Sequence, residues 1–313
     1  EQLGRQTQLR MEQAGQQAGA SEGAQALAQA QADEAAYRKA LLRKKKIEED
    51  VQAALQFQVI RGDVNFGVRG KGFHMLFSYA EHGPVSLVYG GREWLYRAPA
   101  PAFWRASTDN DKGCGFPQKS ALWCGADRFI ACTGWHTEEK ENLAAITYRF
   151  ETCTNPKAQV QVTYEVNIWG DLKVKVCYTG APGLPSLPVF GLRFLLPFEA
   201  EKIRWQGLKG ETYPDRKKGS PFGTWESAME KPQYLIPQEY GAHMDTRLAQ
   251  LVIGKDQLEI GMEKEKPFGF SAIPYTPQEL ESALHPEELP PVTRTVLTVY
   301  GAMRGVGGID SWG

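Results

Sequence analysis

From about residue 55 onward, apolar and polar residues alternate with a period of two. Leu55, Phe57 and Val59 alternate with Gln56 and Gln58. Phe73, Met75 and Phe77 fall on one parity, with His74 and Ser78 on the other. Val85, Leu87 and Tyr89 repeat the pattern, then Gly90-Gly91 make a turn before Glu93, Trp94 and Leu95. Further alternating runs lie at 144–152, 159–167, 172–178, 191–197, 250–253, 258–262 and 293–299, each bounded by Gly, Pro, Asn or Asp. Successive side chains of a strand point to opposite faces, so this period predicts half-buried strands. Strand after strand with little helix between predicts an all-β domain of antiparallel sheets packed face to face. Two short stretches depart from it. Residues 119–131 read as a helix or an irregular segment. At 277–283, Thr276 can cap a helix, Pro277 takes its first position and Glu279 follows three residues after the cap.

Residues 1–50 have a different character. Ala, Gln, Glu, Lys and Arg dominate, and Pro, Trp and Phe are absent. Gly15, Gly19 and Gly23 weaken any early helix, so 1–23 is expected to be disordered. No Gly or Pro interrupts 24–55, which predicts a helix with a thin apolar stripe of Leu41, Leu42 and Ile47. A plain linker is the competing reading of the whole stretch. The expected division is therefore a helical or disordered extension over 1–50 and a β-sandwich domain over 51–313.

Composition narrows the class of function. Of 313 residues, 42% are hydrophobic and 23% charged, enough for a sizeable core, and the 32 glycines and 19 prolines match a chain of many turns. With 36 basic and 37 acidic residues the formal net charge is −1, which argues against a nucleic-acid or membrane partner. The basic run 43–46 is followed at once by Glu48, Glu49 and Asp50 and reads as a solvated helix face. Cys114, Cys124, Cys132, Cys153 and Cys177 make an odd count without C-x-x-C spacing, so neither a zinc site nor a disulfide framework is expected. No two of the five histidines form H-x-x-x-H. No apolar run approaches a membrane span and no apolar leader opens the chain, so a cytoplasmic protein with reduced thiols is expected.

Four segments are unlike ordinary strand or turn. Residues 103–113 set two aromatics beside Arg105 and then run T-D-N-D; Asp and Asn hold tight turns, so this is a structural loop or a docking loop from which Arg105 and Asp109 reach another domain. Residues 205–217 contain Glu211 and Asp215, two carboxylates of the kind a glycosidase needs, although pairing with Arg216, Lys217 or backbone donors is the simpler reading. Residues 236–241 lead to His243, Asp245 and Arg247, so that Glu239 and His243 form a possible acid and base, or a strand-end turn. Residues 304–313 are glycine-rich but lack the Lys-Ser/Thr and helix of a phosphate loop. Gly307 and Gly308 instead suggest a special turn presenting Asp310 and Trp312, the latter a platform for the apolar face of a sugar or a core residue.

In order and content these segments resemble signatures of the β-galactosidases of glycoside hydrolase family two. That family carries F-x-R-A-P-T-D-N-D-x-G, matched by 103–113 with Ser107 for Pro. It carries G-x-G-x-x-E-x-Y-P-D-R, matched by 207–216 with one residue fewer between Gly207 and Glu211. It carries P-Q-E-N-G, matched by 237–241 with Tyr240 for Asn, and G-x-G-G-D-D-S-W, matched by 305–312 with Ile309 for the first Asp. A fifth motif, F-x-F-S-A-x-x-Y-T-x-x-E-L-x-x-A-x-H, is close to 268–285. The resemblance spans about 55–313 and leaves 1–50 unmatched.

The resemblance implies an antiparallel β-supersandwich similar to that of galactose mutarotases, either the last domain of the enzyme or a separate small subunit. It implies a catalytic domain or large subunit as partner, whose (β/α)₈ barrel carries both catalytic glutamates and the magnesium and sodium ions. No catalytic residue, cofactor or metal is then expected on this chain. It implies hydrolysis of terminal β-galactosides such as lactose by the assembly, within an oligomer. Trp312 is implied to contact substrate, with Asp310 and Ser311 shaping its loop. Phe103, Arg105, Asp109, Asn110, Asp111, Glu211, Tyr213, Asp215, Arg216 and Glu239 are implied to shape loops or lie at the interface. The family continues through a closing strand or two, whereas this sequence stops one residue after Trp312, so an incomplete sandwich with an exposed edge is expected. The other open readings are a self-sufficient carbohydrate-binding module and a mutarotase-like epimerase using His243 and Glu239.

Overall fold

The structure is a computed structural model and describes residues 20–306. The chain divides into two units, Glu1–Phe57 and Gln58–Gly313. The first contains one long helix, α1 (Ala20–Gln56). It begins four residues before the expected start and runs through Gly23, whose cost of about 1 kcal/mol an Ala-rich neighbourhood absorbs. Its stripe residues Leu41, Leu42 and Ile47 are exposed. Pairs four apart, Glu34 with Arg38 and Lys45 with Glu49, support it locally. Leu55, expected to open the first strand, instead belongs to the last turn of α1 and is 70% exposed. Residues 1–19 of the stretch expected to be disordered lie outside the described residues.

The second unit is built from antiparallel strands. Its first part contains β1 (Gln58–Arg61), β2 (Asn65–Gly70), β3 (Phe73–Ser78), β4 (Gly83–Tyr89), β5 (Arg92–Glu93) and β6 (Arg97–Ala102). The short helices α2 (Asp109–Gly113) and α3 (Phe116–Lys119) follow, then a 3₁₀ turn at Ala121–Trp123, so the segment expected as helix or irregular chain over 119–131 is irregular. Next come β7 (Ala131–Lys140), β8 (Leu143–Glu151), β9 (Gln159–Asn167), β10 (Leu172–Thr179), β11 (Val189–Leu196), β12 (Lys202–Leu208) and β13 (Phe222–Ser227). The chain continues through β14 (Ala242–Thr246), β15 (Leu248–Ile253), β16 (Asp256–Gly261), β17 (Phe268–Ile273), helix α4 (Pro277–Ser282) and β18 (Thr295–Met303). Helix α4 has the expected start, with Thr276 and Glu279 closing a reciprocal capping box.

Among the described residues these strands form four sheets. Two have five strands, ordered β1-β2-β3-β4-β5 and β14-β17-β18-β11-β6, and two have four, ordered β10-β9-β8-β7 and β13-β12-β15-β16. The first five-stranded sheet packs on β7–β10 through Phe66, Phe77, Tyr148 and Tyr164. Phe77 lies 5.6 Å from Tyr164, and the Tyr148 hydroxyl donates to the Ser78 carbonyl at 2.9 Å. The second packs on β12, β13, β15 and β16 around Trp205, Leu251, Phe270 and Leu297. Each such side chain contributes about 1.5–3 kcal/mol by leaving water. This is the expected all-β, antiparallel, face-to-face architecture.

The two five-stranded sheets adjoin, with Gly83 of β4 close against Ala98 and Pro99 of β6. In the opposite layer, among the described residues, β10 pairs only with β9, and β16 only with β15. Between them lies an open cavity of about 710 Å³ walled by Val174 and Val176 of β10 and by Leu258 and Ile260 of β16. Leu192 and Val299, from β11 and β18, are part of its floor.

Candidate functional site

The sequence-predicted segments converge on one end of the second sandwich. The 103–113 loop leaves β6 with Phe103, Trp104, Arg105, Ala106, Ser107 and Thr108 all buried. Thr108 caps α2: its side chain accepts the Asp111 N–H, while Asp111 takes the Thr108 N–H and hydroxyl, both at 2.9 Å. Asp111 also binds Arg105 through two bonds of 2.5 and 3.0 Å. Burial disfavours the charge on Arg105, and the Asp111 carboxylate, together with Glu239 and Tyr213, more than offsets it. The reading in which Arg105 reaches out to another domain is therefore overturned. The guanidinium is 2% exposed and turned inward, because Asp111 supplies the buried counter-charge that the outside would lack. Asp109 and Asn110 remain exposed on the same loop.

Groups of this loop, with Asp215, hold residues 305 and 306. Arg105 donates to the Gly305 carbonyl at 3.1 Å, Asn110 to the Val306 carbonyl at 3.3 Å, and the Val306 N–H donates to Asp215 at 3.0 Å. Val306 packs with Tyr213, Tyr300, Val189 and Ala102, and Arg304 lies 3.8 Å over the Phe116 ring. A Cβ on Gly305 would stand 2.5 Å from the Asp215 carboxyl carbon, so only glycine lets this backbone approach. Gly305→Ala should therefore break the Asp215–Val306 bond. Thermal melting should drop by several degrees, and trypsin should cut at Arg304 faster than in the parent chain.

The 205–217 and 236–241 segments complete the support. Glu211 accepts the Gly241 N–H at 2.7 Å, and burial pushes its carboxyl up against the pull of that bond. Arg216 covers the buried Tyr213 ring at 5.4 Å. Glu239 accepts the Ala106 N–H at 3.1 Å. Burial pushes its carboxyl up to about 7, against the pull of Arg105, the Ala106 N–H and Arg193. Gln238 exchanges bonds with Asp109, accepting its N–H at 3.2 Å and donating to its carboxylate at 3.1 Å. Glu211 and Asp215, the two carboxylates that invited a glycosidase reading, are each occupied by a backbone N–H. His243 meets the Gly210 carbonyl at 2.9 Å and Glu230 at 3.4 Å, while Glu239 turns to the 103–113 loop. The acid–base pair of an epimerase is therefore not assembled: both groups are buried and committed to loop-holding contacts. Asp310, Ser311 and Trp312 lie outside the described residues.

Sequence reasoning missed three supporting groups. Arg193 binds the Trp104 carbonyl at 3.0 Å and Asp127 at 3.1 Å. Its signal was a lone charge inside the apolar strand β11. Glu281 accepts both the N–H and the hydroxyl of Ser107 at 2.7 Å, which explains how serine serves in the third position before Asn110. Gly305 was read only as part of a glycine-rich tail. Among the described residues no cluster of three or more potential ligands could hold a metal ion, and no helix is long and apolar enough to cross a membrane.

The family model described as "Beta galactosidase small chain" matches residues 69–313. The chain belongs to the β-galactosidase small-chain family. The β-galactosidase small subunit of Latilactobacillus sakei is 45% identical over 286 residues, covering 82% of this chain and 90% of that one. The β-galactosidase of Halalkalibacterium halodurans is 37% identical over 286 residues, covering 90% of this chain but 28% of its own length. That of Lactobacillus delbrueckii subsp. bulgaricus is 37% identical over 257 residues, with 82% and 25% covered. The small chain thus spans most of a separate small subunit and about a quarter of the longer β-galactosidases. Among solved structures, a putative aldose 1-epimerase of Escherichia coli K12 aligns with a TM-score of 0.35 and 10% identity, over 78% of this chain and 98% of that one.

Proposed function

We propose that this chain is the accessory small chain of a β-galactosidase and completes the galactoside pocket of a barrel-bearing large subunit. The large subunit supplies the acid, the nucleophile and the magnesium and sodium ions, in an oligomer working in the cytoplasm. The reaction is hydrolysis of terminal β-galactosides such as lactose, with retention. This chain contributes binding and positioning. The observation that carries the reading is the three-point hold on Gly305 and Val306 by Arg105, Asn110 and Asp215. A rigid base so close before Trp312 is what an indole needs to stack on sugar without losing entropy at each encounter. Exposed Asp109 and Asn110 stand beside that base and face the partner.

Two measurements test it. The purified chain alone should not turn over nitrophenyl galactoside, whereas the chain co-purified with its large subunit should. In that complex Trp312→Ala should raise the Michaelis constant by roughly ten-fold, the equivalent of the ~1–3 kcal/mol of an aromatic contact. An unchanged Michaelis constant and rate would remove Trp312 from the pocket.

A further inference from the structure

We propose that the small cavity between the 103–113 loop, β11, β18 and the 236–241 turn is a binding site for one water molecule, which bridges Glu239 to buried N–H groups of Trp104, Arg105 and Arg193. The site does not depend on the galactoside reading.

Three donors define it. The indole Nε1 of Trp104 and the guanidinium Nε of both Arg105 and Arg193 are buried, with no hydrogen-bond partner among the described residues. The residues are 3%, 2% and 5% exposed, so bulk water does not reach them. All three line one cavity together with Glu239, Ser271 and Tyr300. A buried donor left unmet costs about as much as a lost hydrogen bond, so three around one cavity call for an acceptor inside it.

The arginine charges are already matched on their other side. Arg105 holds Asp111 at 2.5 Å and Arg193 holds Asp127 at 3.1 Å, both through Nη atoms. Glu239 is attracted by both arginines, yet among the described residues it forms no ion pair with either. The Ala106 N–H takes one of its oxygens. A gap therefore separates the carboxyl from the two Nε edges, and polar groups meet across such a gap through water.

Size and charge choose the occupant. The cavity is about 10 Å³, just the room that one water needs. Chloride is larger, and it would set a second negative charge beside Glu239 where each arginine already has its aspartate. A metal cation would face N–H donors. Water accepts from two of the three N–H groups. It donates to the Glu239 oxygen that Ala106 leaves, and to the Tyr300 hydroxyl, itself hydrogen-bonded to Ser271 at 2.5 Å. That is a full set of bonds for a buried water. The bridge joins the sheet strands β11 and β18 to the 236–241 turn.

The test is a crystal structure of chain 1–313 at a resolution that shows ordered water, with a second crystal soaked in sodium bromide and measured for anomalous scattering. The expected result is one water-sized peak within about 3.2 Å of at least two of the three nitrogens and of a Glu239 oxygen, without a bromide signal. In Glu239→Leu the peak should be lost. No peak in the parent, or direct pairing of Glu239 with Arg105 or Arg193 across a closed cavity, would overturn the site. A bromide peak would overturn it too, by making the occupant an anion. A peak that persists in Glu239→Leu would sink the bridge, because the carboxyl would not be what anchors the water. If that variant does not fold, the parent crystals decide alone.

Discussion

Arg105→Met lowers the stability of the chain by about 3–5 kcal/mol, the cost of leaving a buried carboxylate without its partner. The carboxylate is Asp111, which keeps the Thr108 N–H and hydroxyl but loses both guanidinium bonds. The same substitution removes the donor to the Gly305 carbonyl, so the C-terminal segment loosens along with the loop. Urea denaturation of the isolated chain measures the first effect, and protease cleavage at Arg304 the second. Pairing Arg105→Met with Asp111→Asn should restore part of the stability, because the uncompensated charge is gone while the amide oxygen still accepts the Thr108 N–H. It should not restore the hold on Gly305, since methionine offers no donor. The stability loss must appear in the chain alone, without a large subunit. Arg105→Met with an unchanged urea midpoint would return Arg105 to the surface role that its position in a polar loop first suggests.

Much of the fold could be read from the sequence because most strands are half-buried. β3, β8, β9 and β10 show their inward parity directly, since one face meets the core and the other meets water. β17 escaped that reading: Phe268–Ile273 is buried on both faces, so nothing alternates. β6 escaped it for another reason. It contains Pro99 and Pro101, which argue against a strand, yet among the described residues it pairs only with β11 and so tolerates missing donors along its other side. Leu55 misled because a helix end and a strand start both accept a leucine, and the change of period lies within two residues of it. At the site, the motifs located the right loops but not the direction of their side chains. Arg105 and Asp111 look equally able to face solvent until the capping box at Thr108 turns Asp111 inward. Glu281 sits 174 residues from Ser107, a pairing that no local pattern announces. The gap between β10 and β16 was invisible in a different way. Their alternation is that of any strand, and only the sheet order shows that each is an edge among the described residues.

Glu239→Gln makes the chain's stability much less sensitive to pH between about 4.5 and 7. The carboxyl is buried at the meeting point of the Ala106 N–H, Arg105 and Arg193, and its affinity for a proton rises from an ordinary 4.5 to about 7 in the folded chain. Below about 4.5 both folded and unfolded chains carry the proton, and the favourable contribution is present in full. As pH rises the unfolded chain releases its proton first, so each further unit favours unfolding. The contribution is lost as pH passes about 7. Its size is about 3 kcal/mol, from the shift of roughly 2.5 units. Glutamine keeps the shape and the acceptor for Ala106 but does not titrate. Glu211 also binds its proton more tightly when folded, so a shallower fall in the same direction remains in the variant. The comparison that decides is the difference between urea midpoints at pH 5 and pH 8, parent against variant. An identical difference in both would mean that Glu239 is ionised in the folded chain throughout, its burial fully offset by the two arginines.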